Sequence, residues 1–478
     1  MKRPEKPRQL GMQRESRTRR LTVAVAAGAL VASVVAAGHP SAAQPDAQEA
    51  SVGAHFDQQI ATSSNLMFGL SSWPKIDPRY AEQVADSGVT IARSDVYLYD
   101  IIPSREVFEK DPADWNWHPE KPTETTNDDD IDAFNDQGVQ RMLIIHGFPE
   151  WMGTEGQTPT WDGFDDSLPV TDHEALGEAY KQVFAHYLDK TDYFEIANEP
   201  DFAMEYEDYA DIYKSALAGM NQVSTDKPVG PQIGDSEPEW FERLLADPEI
   251  GPDIDFADWH SYGDDWSANA GAYRDVSAAA GREDMPLFVT EWNWSPSFED
   301  DDPLNRDSPE AISYAGMKLS GMMDAGVHGA MLFGSNDAPD SFDAELRPPF
   351  AFIDSEGNLA PKSAAFRLLS TSLGLGTGEN RIMHTTDSGV SASCSAINAD
   401  GQRVAWAIND TGQTVTSSLT LESTGASGDV SLAHYVASED NDAAEPTDTE
   451  TLSVDPDGRV DTTLTLPPHS IHGVVLDN

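Results

Sequence analysis

The sequence predicts an α/β protein, a (β/α)8 TIM barrel with an appended C-terminal antiparallel β-sandwich. Three observations predict it. Between residues 65 and 370, eight short apolar runs alternate with eight longer amphipathic segments. From about residue 372 the segments turn short, Thr- and Val-rich, and are separated by Gly, Asp and Asn. The chain has 478 residues, enough for one large domain and one smaller one.

Taken in order, residues 1–43 have the layout of a signal peptide. Residues 1–20 carry eight Lys or Arg, residues 21–37 are uncharged and rich in Ala and Val, and Ser41-Ala42-Ala43 offers a small-residue cleavage site. The expected destination is outside the cell, and Arg19-Arg20 raises twin-arginine export as a route. No later segment is apolar enough to span a bilayer, so no membrane contact is expected after processing.

The barrel is expected over 44–371. Its apolar runs are 66–70, 89–93, 141–146, 193–198, 228–232, 255–260, 287–291 and 329–333. Helix-like segments lie at 78–87, 128–137, 173–188, 206–223, 238–245, 273–281, 309–325 and 362–369. Asp77-Pro78 and Ser308-Pro309 place an N-cap residue before a first-turn proline, and Gly88, Gly138 and Gly326 stand where helices would close. Eight β-then-α units suit a closed barrel. A doubly wound open sheet usually carries a Gly-rich phosphate loop after its first strand; "GLSSWPKID" is not one. The sandwich is expected over 372–478, from runs such as 390–396, 403–408, 417–422, 430–436, 460–466 and 471–476.

Charge excludes some partners. The chain has 30 basic and 83 acidic residues, a net charge of −53. Without residues 1–43 the balance is 22 against 81. A nucleic-acid partner needs a basic footprint that this chain lacks. Acid spread along the whole chain repels itself at low salt, which points to a salt-rich setting. With Cys394 the single cysteine, neither an intrachain disulfide nor a thiolate metal site is expected.

In such a barrel the active site gathers at the C-terminal ends of the strands. The ends here carry Arg93, His146, Asn198-Glu199, His260-Ser261-Tyr262, Thr290-Glu291 and Phe333. Glu199 and Glu291 fall on the fourth and seventh strands, roughly opposite each other across an eight-stranded barrel. Two carboxyls about 5–5.5 Å apart across a sugar support displacement with retention, and about 6.5–9.5 Å supports inversion. Pro200 biases Glu199 towards an extended conformation that would aim it at the mouth. With a period of two, Glu195, Ala197 and Glu199 share the inner face, which makes Glu195 an interior residue too deep to meet substrate. Trp73, Trp115, Trp117, Trp151, Trp161, Trp266, Trp292 and Trp294 mostly follow strand ends, where flat rings could stack on sugar.

At these residues the sequence resembles clan A glycoside hydrolases, and family 39 most closely. The resemblance rests on "FEIANEPD", "VGPQIG", "DFADWHSYG", "PLFVTEWNWSPSFED" and "GNLAPKSAAFRLLS". It implies a retaining β-glycosidase, β-xylosidase-like, acting on plant or microbial oligo- or polysaccharides, with Glu199 as acid/base and Glu291 as nucleophile. Asn198 would hold the sugar 2-hydroxyl. His260 and Tyr262 would orient the nucleophile and substrate, and Arg93 would support Glu291 and lower its pKa. Trp292, Phe333 and His146 complete the expected binding set. The last two depart from the family pattern, which bears on sugar preference. This chemistry requires no metal or organic cofactor. The alternatives are a non-catalytic carbohydrate-binding protein on the same scaffold and a clan A endo-glycanase of other specificity.

Overall fold

The computed structural model describes residues 50–71, 75–119, 126–153, 170–234, 238–263, 268–295, 308–335, 351–354 and 356–477. The expected signal peptide, Trp73, Trp161 and Trp266 lie outside them. Eight parallel strands form one sheet: β2 (Gly69–Ser71), β3 (Ile91–Tyr97), β4 (Gln140–His146), β5 (Tyr193–Ile196), β6 (Val229–Pro231), β7 (Ala257–Tyr262), β8 (Leu287–Asn293) and β9 (Gly329–Phe333). Their order is β6-β5-β4-β3-β2-β9-β8-β7. The ring closes between β6 and β7, where the Asp255 N–H donates to Val229 O at 2.9 Å and the Val229 N–H to Asp255 Oδ2 at 3.0 Å. Helices alternate with the strands, including His173–Tyr187, Tyr206–Met220 and Glu310–Asp324. Among the described residues no helix is long and apolar enough to cross a membrane.

The barrel interior is layered. Ile91, Met142, Phe256, Phe288 and Met331, with Leu66, form a buried apolar layer. Two residues further along β3 and β7 the same inward face carries Arg93 and Asp258, joined by Glu195 from β5. The site therefore stands on a polar layer inside the barrel, which in turn rests on an apolar one.

A β-bulge decides what β8 presents. Against β7, Trp259 pairs with Val289 but His260 pairs with Glu291, and against β9 the register also slips between Val289 and Trp292. One extra residue, Thr290, is inserted in β8. Phe288 faces inward, so strict alternation would turn Glu291 outward and Trp292 in. The bulge reverses that parity.

The second sheet holds β1 (Ala50–Ser64), β10 (Glu379–Ser388), β11 (Ala392–Ile397), β12 (Arg403–Asn409), β13 (Val415–Glu422), β14 (Asp429–Ser438), β15 (Asn441–Asp442), β16 (Asp448–Ser453), β17 (Val460–Leu466) and β18 (Ser470–Asp477). The expected barrel range of 44–371 needs correction at its start. β1 pairs antiparallel with β10 and parallel with β13, so residues 50–64 belong to the sandwich sheet. Its alternating buried and exposed residues look like any half-buried strand, and only the partner says which sheet it joins. The sandwich packs on the barrel helix Glu310–Asp324. Trp406 Nε1–H donates to Ser320 Oγ at 2.8 Å, and a Cβ on Gly316 would come within 2.4 Å of Ile471 Cδ1.

Candidate active site

β5 ends at Ile196, two residues earlier than its sequence pattern suggests. The next turns are left-handed, with Ala197 at φ 65° and Glu199 at φ 45°. The extended conformation expected of Glu199 is not the one adopted. Pro200 bars the right-handed helical region from its predecessor, and the chain takes the left-handed one, after which Pro200 opens the short helix Pro200–Ala203 at a first-turn position. The Glu199 N–H then donates to Gln232 Oε1 beyond the end of β6.

That bond fixes the orientation of a relay. A backbone N–H can only donate, so Gln232 presents Oε1 to Glu199 and its amide Nε2 to His260. Gln232 Nε2 donates to His260 Nε2 at 2.6 Å. The proton of the imidazole therefore sits on Nδ1, which donates to Glu199 Oε1 at 2.6 Å and lies 3.4 Å from Glu291 Oε2. Burial pushes the His260 pKa down to about 4, so the ring is neutral near pH 7.

Glu291 is held from two other sides. Tyr262 donates its hydroxyl to Oε2 at 2.6 Å, and Arg93 Nη1 donates to Oε1 at 3.0 Å. Arg93 lies in the middle of β3, which runs on to Tyr97, rather than at its end. Its guanidinium also donates to Glu195 Oε2 at 2.5 Å, Ser71 Oγ at 3.2 Å and Asn198 Oδ1 at 3.1 Å. Burial works against this cation, but Glu195, Glu291 and Asp95 outweigh it and keep it charged. Removing one partner of such a buried pair costs about 3–5 kcal/mol.

The two glutamates differ. Burial raises Glu199 to about 7, with Arg93 working against the shift. Burial raises Glu291 too, against the pull of His260 and Arg93, so the expectation of a net lowering by Arg93 is corrected. One carboxylate oxygen of each glutamate and a ring nitrogen of His260 all lie within 4.8 Å of one another. That set could in geometry hold a metal ion. The charged Arg93 already bound to Glu291 and the proton on His260 Nδ1 both oppose it.

The other expected residues divide. Asn198 meets Arg93 as described. Phe333 stands edge-on to Tyr262, with ring centroids 6.2 Å apart. His146 is 3% exposed, pairs with Asp95 at 3.0 Å and lies against Tyr97. Trp292 is corrected: it is fully buried and stacks on Phe366 in the helix layer, because the bulge turns it outward. The rim of tryptophans also thins. Trp115 is buried, Trp117 stacks on His186, and Trp151 packs on Phe108 with its Nε1–H bound to Ile102 O at 2.8 Å. Of the expected eight, Trp294 is half-buried and edge-on to Tyr314.

Several residues were missed. Glu195 is not idle: it anchors the arginine that holds Glu291. Asp258 lies beside it, fully buried, and burial first and the Glu195 charge second push its carboxyl well above the usual range. Gln232 orients both His260 and the Glu199 backbone. Lys318, fully buried, donates to Ser261 Oγ at 3.0 Å and Gly263 O at 3.1 Å, on either side of Tyr262. A signal for three of these existed. Glu195, Gln232 and Asp258 are polar residues at inward positions of apolar runs.

No family model matches the sequence, and no curated protein matches it. Solved structures do. A glucosidase from Croceicoccus marinus is 15% identical, with a TM-score of 0.64 over 90% of this chain and 99% of its own. A glycoside hydrolase family 30 subfamily 8 xylanase from Clostridium acetobutylicum is 15% identical, with a TM-score of 0.65 over 90% and 100%. The GH39 enzyme from Xanthomonas axonopodis pv. citri is 16% identical, with a TM-score of 0.62 over 91% and 99%. At these identities the likeness is one of fold, and it covers both domains: the chain shares the overall architecture of these solved structures.

Proposed function

We propose that this chain is a secreted retaining β-glycosidase, β-xylosidase-like, that hydrolyses O-glycosidic bonds of oligo- or polysaccharides. One observation carries the reading. Two glutamates at the ends of β5 and β8, three strands apart around the ring, bring carboxylate oxygens within 4.8 Å, one bound by Arg93 and Tyr262 and the other protonated up to about pH 7. This close approach of one oxygen from each group supports double displacement, with carboxyls about 5–5.5 Å apart, over inversion at about 6.5–9.5 Å.

Glu291, stripped of water and oriented by Arg93 and Tyr262, attacks the anomeric carbon. The glycosidic C–O bond breaks as a C–O bond to Glu291 forms. Glu199 gives its proton to the departing oxygen from Oε2, because Oε1 is engaged by His260. In the second half Glu199 takes a proton from water, and that water displaces Glu291. Asn198, set by Arg93, is placed to hold the sugar 2-hydroxyl.

The test uses aryl β-glycosides at about 2–3 M salt, where screening falls to about 3 Å or less. Wild type, Glu199→Ala and Glu291→Ala run side by side, with azide added. Both variants should lose activity on natural sugars. Azide should rescue Glu199→Ala to a β-glycosyl azide and Glu291→Ala to an α-glycosyl azide. The same anomer from both would overturn the role assignment. A wild type that binds oligosaccharides yet cleaves nothing on a broad panel would replace the enzyme reading with a binding protein.

A further inference from the structure

Two large apolar side chains stand out to solvent among the described residues: Ile60, 50% exposed, and Phe202, 57% exposed. Ile60 lies on β1 in the sandwich. Phe202 lies in the helical turn Pro200–Ala203, three residues after Glu199. A single exposed apolar side chain is ordinary on a protein surface. The placing and fixing of this one are not.

A Cβ built on Gly234 would come within 2.6 Å of Phe202 Cε2 and 2.8 Å of Glu199 Cγ. The phenyl edge and the stem of Glu199 therefore flank one point of backbone beyond β6, and a glycine is needed there for both to fit. Asp201 Oδ1 accepts from the Gly234 N–H at 2.8 Å, and Gln232 Oε1 accepts from the Glu199 N–H. Within the turn, the Phe202 N–H donates to Glu199 O at 3.1 Å. The ring is thus tied beside the carboxyl by the same contacts that set the carboxyl. Glu199 Oε1 faces His260 and, past it, Glu291. Its stem is shared with Phe202, on the solvent side.

We propose that Phe202 is the platform for the leaving-group sugar. The inference rests on the glycosidase reading. An acid that protonates a glycosidic oxygen divides the substrate: the sugar under attack lies towards Glu291, and the departing sugar extends from Glu199 away from it. Phe202 is the apolar surface on that second side. A flat ring offers its face to the C–H face of a pyranose. The ligand class is therefore a saccharide aglycone rather than a charged or purely alkyl one. The platform adds no chemical step. It converts binding of the departing sugar into correct placement of the oxygen that receives the proton.

The experiment compares two substrates of one glycosyl group, a β-linked disaccharide and the corresponding glycosyl fluoride. Fluoride is too small to reach Phe202. In Phe202→Leu and Phe202→Ala, the ratio of kcat/KM for disaccharide over fluoride should fall roughly 3- to 10-fold, and Phe202→Trp should restore it. Transfer of the glycosyl group to an acceptor sugar, measured against transfer to water, should fall in the same variants. An unchanged ratio, or a fall that Trp does not restore, overturns the platform while leaving the glycosidase reading intact. Wild type inactive on both substrates removes the glycosidase reading and the platform with it.

Discussion

Glu199 and Glu291 are the same side chain and meet the same imidazole, yet their surroundings assign them opposite tasks. Glu291 accepts hydrogen bonds from a buried arginine and a phenol; Glu199, despite the opposing charge of Arg93, keeps its proton up to about pH 7. The signs give a pH profile. Activity needs Glu199 protonated, so kcat/KM should fall as pH rises through about 7. It needs Glu291 ionised, so activity should also fall on acidification, from a pH above the ordinary glutamate value because burial raises that group. In Glu199→Gln, assayed with an aryl glycoside whose leaving group needs no acid, the basic limb should vanish; a persistent limb would mean another group sets it. Tyr262→Phe removes one charge-assisted hydrogen bond from the nucleophile. It should cost roughly 10- to 100-fold in kcat/KM with the fold intact, checked by steady-state rates alongside circular dichroism.

At the scale of elements, β8 shows how backbone irregularity makes a site. The bulge at Thr290 turns Glu291 into the barrel and Trp292 out against Phe366. Trp292 is therefore a packing residue. Trp292→Ala should destabilise by about 3–5 kcal/mol, seen as a lower melting temperature, while KM stays near wild type. A raised KM at unchanged melting temperature would place the ring against substrate instead. The left-handed turns at Ala197 and Glu199 do the same work on β5. They end the strand abruptly and deliver Glu199 beside Gln232, rather than along the strand axis.

The whole molecule carries −53 charges, and both domains share the excess of acid. Many acidic groups stand far from a cation, so they repel over distances that salt can screen. The Debye length shrinks from about 10 Å at 0.1 M to about 3 Å at 1 M. The melting temperature should therefore climb steeply between about 0.1 and 1 M sodium chloride and then flatten. A midpoint indifferent to salt would show that the acid is locally compensated. The same screening should leave the Arg93 network nearly untouched, because it is buried. Activity per folded molecule should thus depend on salt far less than stability does.

Much of this was legible in the sequence, because it is written in local chemistry. The eight-fold alternation of apolar runs and amphipathic segments determined the barrel. Composition determined the all-β second domain. Glutamates at the ends of the fourth and seventh runs determined where to look for the site. What the sequence could not carry are the choices that depend on a partner in space. β1 lies before the first expected run, and the sheet it joins is settled by its partners β10 and β13. The inward turn of Glu291 depends on a register slip against β7 and β9, invisible when alternation alone is counted. Glu195 looked inert until Arg93 was seen to span it and Glu291. Gln232 has no motif of its own; its role exists because a backbone N–H and an imidazole meet its two ends. Local periodicity determines which residues can face inward. Tertiary packing decides which of them meet.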